Sequence, residues 1–217
     1  MEWVSTQPAL FKKVCESIAR AEFEYKRYIQ SGDLSDKLIE ASIDLAKIDG
    51  IYRGGGVRGT LGKYENGDIE DLKKLVEVIP KEEFAKANRY LLNPTFGEAS
   101  SLVGGADCDI IMDDTLIDIK TTKYLKLDIR YWRQLVGYCA LADLAKEEMD
   151  YFPRIKQVGV YYSRHGRLWT TDASQIYENS GYENFKKWFK KAPKEIWKRE
   201  REEILQQLID RRNPGHS

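Results

Sequence analysis

Cysteine is scarce in this chain, and no two cysteines lie close together. Cys15, Cys108 and Cys139 are widely spaced and odd in number. They supply neither a Cys-x-x-Cys zinc site nor the disulfide framework of a small secreted domain. Long apolar runs are missing as well. No stretch approaches the ~20 residues that cross a bilayer, and the opening MEWVSTQPALFKKV lacks the apolar centre of a secretory leader. There is no surplus of charge of either sign, because 35 basic residues balance 35 acidic ones. That argues against a protein that coats nucleic acid by bulk electrostatics and leaves room for a local basic face. Internal repeats and low-complexity linkers are also absent. These absences predict a cytoplasmic, reducing compartment and no membrane partner.

What remains is a chain of 217 residues with thirteen Tyr and five Trp, enough to bury one sizeable core. Helical spacing predicts helices over 7–30, 36–49 (with Ser35 as cap), 68–80, 81–92 and 129–149, and one broken helix or two over 182–212. The segment GIYRGGGVRGTLGKYENGD predicts a long loop. The region 96–122 has strand character, and KQVGVYYSRHG with RLWTT reads as strand, turn and strand. The order predicts a single α/β domain over 1–217. It comprises a mainly helical elaboration over 1–92, a core over 93–172 and a helical tail packed on it over 173–217.

Within the core, GGADCDIIMDDTLIDIKTTK sets acids and a lysine among isoleucines. If DCDIIM and TLIDIK are strands joined by a two-residue turn at Asp113-Asp114, then Met112 faces Thr115, Ile111 faces Leu116 and Ile110 faces Ile117. Asp109 then falls opposite Asp118, and Asp107 opposite Lys120. Side chains alternate faces along a strand. One face therefore collects Asp107, Asp109, Asp118 and Lys120, and the other collects Cys108, Ile110, Ile117 and Ile119. Opposed Cβ atoms lie roughly 4.5–5.5 Å apart, where two carboxylates repel unless a cation lies between them. Mg²⁺ suits such a place, since it takes one or two carboxylates and completes its shell with water and phosphate oxygens. The competing reading is a solvated outer face with a cross-strand Asp–Lys pair.

The pattern resembles the PD-(D/E)XK nuclease superfamily, in its RecB-like branch. There an acid on one strand precedes Asp/Glu-x-Lys on the next, and a helix with Gln-x-x-x-Tyr follows. The matching residues here are Asp109, then Asp118 and Lys120 in IDIK, then Gln134 and Tyr138 in YWRQLVGYCAL. The likeness spans roughly 95–165. It implies a restriction-endonuclease-like core, a mixed central sheet flanked by helices, with helical additions at both ends. It also implies a Mg²⁺- or Mn²⁺-dependent deoxyribonuclease. Asp109 and Asp118 would hold the metal, with Asp107 as a further or rival ligand, and Lys120 would assist the chemistry. Gln134 and Tyr138 would shape the site or touch substrate. Glu40 is the candidate upstream acid and Glu98 its alternate. Two further readings stand beside this one: a nuclease-fold binding module without hydrolysis, and an RNA nuclease.

The run KTTKYLKLDIRYWR, from Lys120 to Arg133, holds five bases against one acid, with Tyr124, Tyr131 and Trp132 among them. Lys123 and Arg133 are its candidate phosphate contacts; the alternative is a solvated helix start with core aromatics. In YRGGGVRG, Arg53 and Arg58 would cradle a phosphate only if the plain-loop reading fails. His165 reads as a solvent-facing turn histidine, Cys108 and Cys139 as core thiols, and Trp188 with Phe189 as a packing stripe.

Overall fold

A computed structural model describes residues 7–52 and 56–191. The chain divides into two compact units, Met1–Val78 and Ile79–Ser217, where the sequence suggests one domain with an elaboration reaching residue 92. Arg53 and the tail beyond 191 lie outside the described residues.

The first unit is helical. Helix α1 (Pro8–Ser31) has proline in its first turn, where the missing N–H costs nothing. It buries Val14, Ser17, Ala21 and Glu24, spaced three or four apart along one face. Gly32 ends it in the left-handed conformation that glycine adopts without strain, its N–H donating to Tyr28 O. Helix α2 (Asp36–Tyr52) starts where expected, with Ser35 Oγ accepting from Leu38 N. Helix α3 (Asn66–Glu77) follows the glycine-rich loop.

The second unit is α/β around a five-stranded mixed sheet of order β1-β2-β3-β4-β5. Helix α4 (Lys81–Phe84) is a single turn, and Tyr90–Leu92 is strand β1. The helix expected over 81–92 therefore stops short. Local propensity yields to pairing, since β1 lies antiparallel to β2 (Ile110–Met112) and forms the sheet edge. Residues Gly97–Val103 form a 3₁₀ helix rather than strand. Strand β3 (Thr115–Lys120) pairs antiparallel with β2 and parallel with β4 (Gln157–Tyr162). The parallel connection runs through helix α5 (Ile129–Glu148). Strand β5 (Arg167–Asp172) closes the other edge antiparallel to β4. A short helix α6 (Ser174–Tyr177) follows, and residues 182–191 are helical.

Strand β3 is covered on both faces, which is why Leu116 and Ile117 are neighbours and both fully buried. On one side Ile111, Leu116, Val158 and Val160 meet Leu135 and Cys139 of α5, with Tyr182, Phe185 and Phe189 in the same core. On the other, Met112, Ile117 and Tyr161 pack with Ile79, Phe84 and Ala87. The acid-bearing face of β3 is thus the one beneath α5.

Candidate functional site

The hairpin forms in the expected register: Ile110 pairs with Ile117, Ile111 with Leu116 and Met112 with Thr115. Asp113 takes the tight bend at φ 51°, a left-handed value that Asp tolerates better than most side chains. Its carboxylate accepts from the N–H groups of Asn88 and Arg89, tying the turn to the start of β1.

Strand pairing stops at Ile110, however. Asp109 occupies a bend, and Asp107 forms an isolated bridge with Thr95. The bend breaks the alternation, so Cys108 joins the core under α5 instead of the face of Ile110, Ile117 and Ile119. Asp107 therefore does not face Lys120 as a simple ladder predicts. Asp109 stays with the site, and its Oδ2 accepts from Ile119 N at 2.5 Å.

Asp118 is 3% exposed. Its Oδ2 lies 2.7 Å from Lys120 Nζ, yet this buried oxygen accepts no well-aligned hydrogen bond. Burial raises the Asp118 carboxyl above the ordinary carboxylate value. Lys120 pulls it back, and the charge of Asp109 pushes it up again. Two carboxylates are thus brought close enough to feel one another, and a buried oxygen of one lacks a directed partner.

Lys120 connects this pair to α5. Its Nζ donates to Gln134 Oε1 at 2.8 Å and lies 5.1 Å from the centre of the Tyr131 ring. Gln134 Nε2 in turn donates to Tyr138 OH at 2.8 Å, one helical turn along. Burial pushes the Tyr138 phenol up to about 12, with the nearby charges of Asp118 and Asp109 contributing. The ring stacks on Phe96 with centroids 5.5 Å apart, which fixes it from behind. Asp128 caps α5 through Arg130 N, so the helix begins at a defined place and delivers Tyr131, Gln134 and Tyr138 on one face. At the strand ends, Thr121 Oγ1 and Ser163 Oγ are 2.9 Å apart, which ties the exit of β3 to the exit of β4.

Five of the sequence candidates therefore meet: Asp109, Asp118, Lys120, Gln134 and Tyr138. Lys123 and Arg133 are exposed nearby in the chain, and Lys123 Nζ lies 5.0 Å over the Tyr124 ring. Glu98 is exposed in the 3₁₀ helix. Glu40 belongs to the first unit, where it pairs with Arg20 at 4.0 Å. His165 is half-buried with a buried Nε2 that has no hydrogen-bond partner, so it is not the solvent-facing histidine its turn suggests. Among the described residues no group of three or more His, Cys, Asp or Glu side chains converges as a metal cage.

No family model, no curated protein and no solved structure matches the chain. The site is therefore read from its own chemistry.

The sequence groups Tyr131 with the aromatics of the basic run, but its place three residues before Gln134 puts it on the same helical face, against Lys120. Sequence reasoning also singled out Glu40 in α2, while the buried acid there is Asp44, one turn on. Asp44 is 1% exposed and accepts from Arg20 at 2.6 Å, Tyr64 OH at 2.8 Å and Gly62 N at 3.1 Å. These bonds pin the loop before α3 to both long helices. Its partners come from loop and helix positions far apart in sequence, a constellation without a local signal.

Proposed function

We propose that this chain is a metal-dependent nuclease that hydrolyses phosphodiester bonds in DNA, with a restriction-endonuclease-like core of the PD-(D/E)XK type in its RecB-like branch. One observation carries the reading: Asp109 Oδ2 is held by the backbone N–H of Ile119, the residue next to Asp118, while Lys120 links Asp118 to Gln134 and Tyr138. A hairpin with a merely decorative acid face has no use for that convergence.

The donor set suits Mg²⁺ or Mn²⁺. It offers two carboxylates, and the buried Oδ2 of Asp118 has the Lys120 ammonium at 2.7 Å without a well-aligned hydrogen bond; such ions need one or two carboxylates with water and phosphate oxygens for the rest. The bound ion would polarise the scissile phosphate and acidify an attacking water. Asp109 and Asp118 would hold it, with Asp109 the preferred first acid because its carboxylate is held at Ile119 N beside Asp118, and Asp107 its rival on the backbone bridge to Thr95. Lys120 supplies a fixed positive charge where negative charge grows during phosphoryl transfer. Gln134 holds the ammonium in place, and Tyr138, kept protonated, holds Gln134. Lys123 and Arg133 supply sequence-independent phosphate contacts.

The expected outcome is degradation of linear DNA by the purified chain with Mn²⁺ or Mg²⁺, and none by Asp118→Ala protein whose circular dichroism matches wild type. Cleavage retained by Asp118→Ala sinks the catalytic assignment. RNA digested in parallel tests the substrate.

A second reading, a nuclease-fold module that binds without hydrolysis, has its own support. The described residues offer no third acid at the site, and the Lys120 ammonium already sits on Asp118. Titration with Mn²⁺ separates the two, because a module without catalysis leaves DNA intact at saturating metal.

A further inference from the structure

Between the end of β3 and the cap of α5, the chain leaves several apolar side chains in water. Tyr124, Leu125 and Ile129 are each more than half exposed, and Leu127 is exposed beside them. Isolated exposed apolar residues are ordinary, but several within six positions mark a contact surface. Bases are interleaved with them. Lys123 Nζ and Lys126 Nζ lie 5.0 and 5.8 Å from the centre of the Tyr124 ring. The one acid of the segment, Asp128, is already engaged. It accepts from Arg130 N at 2.8 Å, Nε at 3.0 Å and NH2 at 3.1 Å, and Arg130 draws its carboxyl down to about 2. What the segment presents outward is therefore positive and aromatic.

Position gives the surface its meaning. Thr121 follows directly on Lys120, and Asp128 opens the helix that carries Gln134. A ligand held on this segment lies next along the chain to the acid–lysine site. A duplex offers such a surface only its phosphates, since the faces of its bases are stacked away. An unpaired strand offers phosphates for the lysines and base faces for the ring. A lipid surface also joins apolar side chains to lysines, but it has no use for the neighbouring phosphodiester chemistry.

We infer that residues 121–130 grip an unpaired DNA strand, with a nucleobase stacked on Tyr124 and the adjacent phosphates held by Lys123 and Lys126. This rests on the nuclease reading for the choice of polymer, and it adds the substrate form: single-stranded DNA, or duplex ends that have opened.

The test is fluorescence anisotropy of labelled oligothymidylate, about sixteen nucleotides long, with the full chain in EDTA so that nothing is cleaved. A duplex of equal length and vesicles of anionic phospholipid serve as competitors. The single strand should bind in preference to both. Tyr124→Ala should weaken binding roughly five- to a hundredfold, the range expected for one base–aromatic stack, while Tyr124→Phe keeps it. Replacing Lys123 and Lys126 with alanine should flatten the salt dependence by about 0.7 in log–log slope for each phosphate no longer neutralised. Equal affinity for duplex, binding to vesicles alone, or unchanged binding by Tyr124→Ala overturns the inference. The nuclease reading fails separately. Strand binding that needs Tyr124, without any cleavage in Mn²⁺, leaves the grip standing and removes hydrolysis. Asp118-dependent cleavage with Tyr124→Ala binding normally removes only the grip.

Discussion

Asp118 is the residue on which the site turns, because three influences meet on its carboxyl. Burial raises its affinity for a proton, Lys120 lowers it, and Asp109 raises it. The folded chain thus holds this proton more tightly than the unfolded chain does, and the stabilisation from that proton is lost as pH climbs from the ordinary carboxylate value through the raised one. The two neighbours should move the midpoint in opposite directions. Without metal, Lys120→Ala should shift the Asp118 titration upward and Asp109→Asn should shift it downward, as read from the carboxyl carbon by NMR. A midpoint that ignores both changes would mean that the three groups are not coupled. Much of this was readable in the sequence: the spacing of Asp118 and Lys120 puts them on one face, and Gln134 and Tyr138 follow one helical turn apart. The buried, partner-poor state of Asp118 Oδ2 was not, because it depends on α5 lying over that face of the strand. Nor was the fate of Asp107, which a bend at Asp109 withdraws from the ladder.

At the scale of elements, the hairpin and the crossover place the site. The two-residue turn at Asp113-Asp114 sets the register that pairs Ile110 with Ile117 and Ile111 with Leu116, so the turn rather than apolar alternation identified it. The parallel pairing of β3 with β4 then carries Lys120 alongside Tyr162, at the carboxyl ends of both strands. Strand β1 was illegible. Its three residues hold no alternating pattern, and only pairing with β2 makes them strand. Gly159 is a place where sheet geometry can be tested without touching the site. A Cβ there would lie 2.5 Å from Trp169 O and 2.8 Å from Thr170 Cγ2 on the paired strand β5, closer than real side chains approach. Gly159→Ala should cost about 1–3 kcal/mol, measured as a shift in the urea unfolding midpoint. A neutral substitution would mean that β4 and β5 are not in this register.

On the scale of the whole molecule, the two units differ in kind, the first helical and the second α/β. The second unit is built on a mixed five-stranded sheet, and among the described residues no helix is long and apolar enough to cross a membrane. The division at residue 78 was not legible, because helical spacing runs on from α3 into 81–92 while only packing between residues far apart in sequence distinguishes the units. The cysteines report on the packing of both. Cys15 is exposed on α1, whereas burial pushes the Cys108 and Cys139 thiols up to about 12. In native protein a thiol reagent should label Cys15 promptly and reach the other two only after denaturant is added, as counted by mass spectrometry. Rapid native labelling of Cys139 would contradict a sealed core beneath α5. The claim that governs the rest is that Asp109 and Asp118 share a divalent cation, and crystals soaked in Mn²⁺ test it most directly. The account predicts an anomalous peak within bonding distance of an oxygen from each carboxylate, with Lys120 still held by Gln134. Manganese bound elsewhere, or no peak between these two ordered acids, would contradict it.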